Sequence, residues 1–114
     1  MIIENAEIKG LKSDLKHLDQ VMDKLGFVRW QWEYYRATYD AKFEDRSGVA
    51  DYYLRVNARV VDGKLESPDA ELVLEESYVG RVSFPHGLDY TEAVPDEVLQ
   101  AVKQKLSDLK KALH

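Results

Sequence analysis

Cysteine is absent from this 114-residue chain, which excludes a disulfide framework, a thiol nucleophile and a thiolate metal site. No apolar run approaches transmembrane length. The first residues lack the basic-then-apolar pattern of a secretory signal, so a cytoplasmic location is the expectation. A long basic run is also missing. With a net charge of −5, the chain is a poor candidate for binding nucleic acid through its phosphates. There is no internal repeat and no low-complexity tract.

What is present is an ordinary globular balance, with 45% hydrophobic and 32% charged residues. The length suits one domain, 1–114, with a core of its own. The negative charge is local: Asp62, Glu66, Asp69, Glu71, Glu75 and Glu76, with Lys64 as the sole base among them, account for all of it.

One stretch concentrates the aromatic residues. Phe27 to Glu44 holds both tryptophans, three of the seven tyrosines and two of the three phenylalanines. Apolar residues take even positions from Val28 through Trp30, Trp32 and Tyr34, then odd positions from Tyr35 through Ala37, Tyr39, Ala41 and Phe43, the set expected to face the core. Side chains in a strand have period two, so this change of parity cannot sit in one unbroken strand with one core face. Either a bulge absorbs the extra residue or Val28–Tyr34 is a separate segment leading into the strand. The second reading is preferred, with the regular strand starting near Tyr34.

The other elements follow from periodicity. Ile2, Ile3 and Ile8 mark a short first strand. Leu11, Leu15, Leu18, Met22 and Leu25 lie at helical spacing, predicting a helix over Ser13–Leu25 with Ser13 as its cap and Gly26 at its end. Asp45-Arg46-Ser47-Gly48 is a turn signal. Tyr52 to Val61 alternates cleanly, with Tyr52, Leu54, Val56, Ala58 and Val60 on one face. From Glu71 the even positions Leu72, Leu74, Tyr78, Val82 and Phe84 are expected to face inward, with Glu75-Glu76-Ser77 as a bulge or break. Pro95, Asp96 and Glu97 open a last helix with the stripe Val98, Val102, Leu106, Leu109 and Leu113. The fold class is α+β, an antiparallel sheet with two helices packed on one face, in the order β-α-β-β-β-(β)-α.

Gly26-Phe27-Val28-Arg29, Gln31-Trp32-Glu33-Tyr34, Thr38-Tyr39-Asp40 with Lys42, and Pro85-His86-Gly87 followed by Asp89-Tyr90 resemble the YugN-like family of small single-domain proteins from bacilli and their relatives. The resemblance runs from the first helix to the Pro85-His86-Gly87 loop. It implies a compact intracellular α+β fold of the TATA-box-binding-protein-like kind, and it carries over no catalytic residue.

Three places could do work. The polar sheet face would bring Arg36, Thr38, Asp40 and Lys42 beside Tyr53, Arg55, Asn57 and Arg59, with Arg81 and Ser83 joining from the next strand. Several guanidinium groups could grip a carboxylate or phosphate, or the face could be a solvated one laced by ion pairs. His86, near Asp89 and Tyr90, could exchange a proton near neutrality or simply serve a turn. Trp30, Trp32 and Tyr34 could form an interface or fill the core. No catalytic set, metal site or cofactor is expected. The sequence predicts a non-catalytic binding or interaction domain that self-associates through its aromatic segment or a sheet edge. The alternative is a small-anion-binding protein or enzyme using Arg36, Asp40, Arg55, Asn57, Arg59, Arg81 and His86.

Overall fold

The computed structural model describes residues 2–3, 8–33, 35–44, 51–65, 67–83, 87–89 and 94–113. Its elements are β1 (Ile2–Ile3), β2 (Lys12–Asp14), α1 (Leu15–Lys24), β3 (Val28–Glu33), β4 (Arg36–Glu44), β5 (Asp51–Asp62), β6 (Glu71–Ser83), β7 (Gly87–Asp89) and α2 (Asp96–Leu113). Among the described residues one antiparallel sheet runs β1-β6-β5-β4-β3, and β2 and β7 also pair with β6. The long β6 therefore has β5 along one edge and three short strands along the other. The predicted α+β architecture holds.

The aromatic stretch is two antiparallel strands, not an approach and a strand. β3 and β4 pair with Val28 opposite Asp40 and Trp30 opposite Thr38, and the register shifts between Gln31 and Glu33. The parity change is the point where the chain reverses. Tyr35, expected in the core, lies at this turn and is 62% exposed.

β5 buries Tyr52, Leu54, Val56 and Ala58, as its alternation predicts. β6 contains the expected bulge. Val56 pairs with Ser77 and Ala58 with Leu74, so Glu75 and Glu76 together face the single residue Asn57. The extra residue switches parity. Leu72 and Leu74 face the core before the bulge, and Ser77 and Val79 after it. Tyr78, expected inward, is instead in register with Arg55, and Arg81 is in register with Tyr52 on the helix-covered face.

Helix α1 begins two residues later than predicted and its cap lies one residue later. Asp14, not Ser13, is its cap, accepting a hydrogen bond from the His17 backbone N–H at 2.7 Å. The Leu15 and Lys16 N–H groups donate to the carbonyls of Ala70 and Pro68, so the turn before β6 satisfies donors the helix itself cannot. Gly26, with φ of 86°, ends the helix in the left-handed region that suits glycine. Lys105 of α2 donates to the Leu25 carbonyl at 2.6 Å, a cation placed at the negative end of the α1 dipole. The stripe Val98, Val102, Leu106 and Leu109 of α2 is buried with Leu15, Leu18 and Met22 of α1 against Ala37, Tyr39, Leu54 and Val56. Leu65 and Ala70 from the β5–β6 connection complete this core.

Candidate functional site

The face of the sheet away from the helices is arranged in cross-strand rows. The first is Val28, Asp40, Arg55 and Tyr78; the second is Thr38 and Asn57; the third is Arg36, Arg59 and Val73. The first two rows are closed at their centre. Thr38 and Asp40 are buried, and each has a partner. Arg55 donates through Nε and Nη2 to Asp40 Oδ1 and Oδ2, both at 2.8 Å. This is the two-pronged geometry that makes guanidinium–carboxylate pairs strong. Thr38 Oγ1 donates to Asn57 Oδ1 at 2.9 Å. The wet face expected from sequence is thus dry in the middle, because saturated hydrogen bonds there replace water.

The third row is different. Arg36 and Arg59 stand directly opposite each other, a like-charge pairing that sheets ordinarily avoid. They line a cleft of about 490 Å³ with Lys9, Asn57, Glu75, Glu76 and Tyr78. The bulge in β6 builds one wall, since two consecutive carboxylates face one residue of β5. Arg36 Nε lies 3.2 Å from Glu75 Oε1. That oxygen is covered yet accepts no aligned hydrogen bond, so the pair is held by charge alone. Lys9 pairs with Glu76 at 3.1 Å across the rim. These two pairs cancel, and Arg59 has no ion-pair partner among the described residues. The cleft carries a surplus positive charge on a chain that is negative as a whole. Such a site favours an anion carrying acceptors for two adjacent guanidinium groups.

A second polar cluster lies on the helix-covered face. Tyr39 donates its hydroxyl to Asp19 Oδ1 of α1 at 2.7 Å, and Arg29 of β3 lies 3.5 Å from the same oxygen. Burial, then the hydrogen bond to Asp19, pushes the Tyr39 phenol far above its ordinary range, so it holds its proton and acts as a donor. Asp19 and Arg29 also border a shallow cavity of about 470 Å³ with Leu15, Leu65 and Pro68.

Of the residues singled out in the sequence, Arg36, Asn57 and Arg59 come together in the cleft. Asp40 and Arg55 are adjacent but engage each other. Arg81 is on the opposite face. Tyr34 and His86 lie outside the described residues, as do the side chains of Trp30 and Trp32. Lys9, Glu75, Glu76 and Tyr78 were not foreseen as site residues. The broken alternation at Glu75-Glu76 was the signal that could have located the three residues of β6. Among the described residues no cluster of histidine and acidic groups could hold a metal ion, and no helix is long and apolar enough to cross a membrane.

A model of the YugN-like family matches residues 4–110. An uncharacterized protein of Bacillus subtilis (strain 168), YlbA, is 34% identical over 105 residues, which are 90% of this chain and 86% of that protein. The crystal structure of the uncharacterized conserved protein YugN from Geobacillus kaustophilus HTA426 superposes with a TM-score of 0.85 at 32% identity, covering 99% of this chain and 94% of that one. The chain belongs to the YugN-like family.

Proposed function

We propose that this YugN-like protein is a cytoplasmic binding domain that takes a small anion in the cleft on the helix-free face of its sheet. One observation carries the reading: Arg36 and Arg59 are opposed across two strands, and Arg59 has no ion-pair partner among the described residues. Placing like charges together costs stability unless something shared neutralises them. Isothermal titration at low salt with inorganic phosphate and with glutarate tests it. Saturable binding is expected, and Arg59→Ala abolishes it without lowering the unfolding temperature. No binding of either anion, or binding unchanged in Arg59→Ala, overturns the reading.

A second reading, self-association, is favoured by the position of β3. It is the outer strand of the sheet, with β4 as its strand partner among the described residues, and its Val28 is 60% exposed. An open strand edge is a template for another strand, and a second copy of β3 supplies one with two-fold symmetry. Light scattering should then give a dimer that Val28→Lys shifts toward monomer. A wild-type chain that stays monomeric at high concentration ends this reading.

A further inference from the structure

We propose that the cleft's ligand is a zwitterion of the amino-acid class, its carboxylate held by Arg36 and Arg59 and its ammonium by Glu75 and Glu76. The inference rests on the anion-site reading and adds the second charge. A site built for a plain anion gains nothing from two carboxylates on its wall. Here the bulge of β6 sets Glu75 and Glu76 together against Asn57, facing the arginine row. Cations and carboxylates therefore line one cleft side by side, Arg36 against Glu75 and Lys9 against Glu76, with Arg59 opposite Arg36 on the neighbouring strand.

The hydrogen bonding points the same way. Asn57 Oδ1 is taken by Thr38, which leaves the amide nitrogen as a donor for a carboxylate. Glu75 Oε1 is covered by Arg36 at 3.2 Å and accepts no hydrogen bond. A ligand carboxylate that draws the Arg36 guanidinium onto itself uncovers that oxygen for an N–H donor. One molecule then satisfies both partners of a pair that is misaligned without it. The surplus charge of Arg59 further favours a zwitterion with an additional acid.

Titration of the whole chain with glutamate, alanine, lysine and glutarate tests the proposal. Glutarate is glutamate without its ammonium. Affinity is expected to fall in the order glutamate, alanine, lysine. Glutarate should bind roughly tenfold more weakly than glutamate, the worth of about one charge-assisted hydrogen bond. Glu75→Gln should erase that gap, and Arg59→Ala should lose every ligand. If glutarate binds as well as glutamate and Arg59→Ala still abolishes both, the anion site stands and the zwitterion proposal falls. If none of these ligands nor phosphate binds, both fall.

Discussion

On one face of the sheet Ala37, Tyr39, Leu54 and Val56 lie under two helices, and on the other Thr38 and Asp40 are buried to nearly the same degree by their own strand neighbours. The first face loses water by apolar contact, which is non-directional and grows with area. The second loses it by hydrogen bonds that tolerate little misplacement. The helix-covered face accordingly sets stability, and the other sets which partner each polar group takes. Where partners are matched, at Asp40 and Arg55, the face is closed. Where they are not, at Arg36 and Arg59, a cleft remains.

Three substitutions test this contrast, in falling order of effect. Leu54→Ala, at a fully buried position beneath the helices, should cost about 2–5 kcal/mol in urea unfolding. A cost under ~1 kcal/mol would mean that the helix layer is not the main source of stability. Asp40→Ala removes both carboxylate hydrogen bonds from Arg55 and should cost roughly 1–3 kcal/mol. A loss as large as that of Leu54→Ala would erase the distinction between the faces. Tyr39→Phe keeps the apolar ring and deletes one hydrogen bond to Asp19, for about 0.5–1.5 kcal/mol.

The same tyrosine predicts a pH dependence. Its folded pKa is raised, by burial and then by Asp19, so the folded state keeps a proton that the unfolded chain gives up near pH ~10. This contribution is complete below that pH and declines as pH rises beyond it. Tyr39→Phe should flatten the alkaline loss of stability measured above pH ~10. An unchanged alkaline slope would show that the phenol is not coupled to folding.

The helix-covered face was legible in the sequence because its positions follow one period through each element. Leu15, Leu18 and Met22 in α1, Val98, Val102, Leu106 and Leu109 in α2, and Tyr52, Leu54, Val56 and Ala58 in β5 are buried as their spacing predicts, while Leu113 and Val60 at the ends of their stripes are partly buried. The polar face was legible in β4 and β5, where Arg36, Thr38, Asp40 and Lys42 pair with Arg59, Asn57, Arg55 and Tyr53, but not in β6. Arg81 was assigned to it by extending the parity of β6, and the bulge at Glu75-Glu76 moved every later residue to the opposite side. Tyr35 was assigned to the core because it matches the parity of Ala37, yet it falls in the turn where that parity begins. Lys9 gave no local signal, since its place in the cleft depends on Gly10 donating to the Leu74 carbonyl across the chain. Contacts that depend on pairing between distant strands are not written in local periodicity.

The bond from Lys105 to the Leu25 carbonyl joins residues 80 positions apart. It sets an order of events for a chain made from its N-terminus. Until α2 leaves the ribosome, the end of α1 keeps an open carbonyl and the apolar side of the sheet lacks the cover of Val98, Val102, Leu106 and Leu109. The nascent chain therefore exposes an apolar surface from the emergence of the sheet until that of α2, and packing of this face waits on α2.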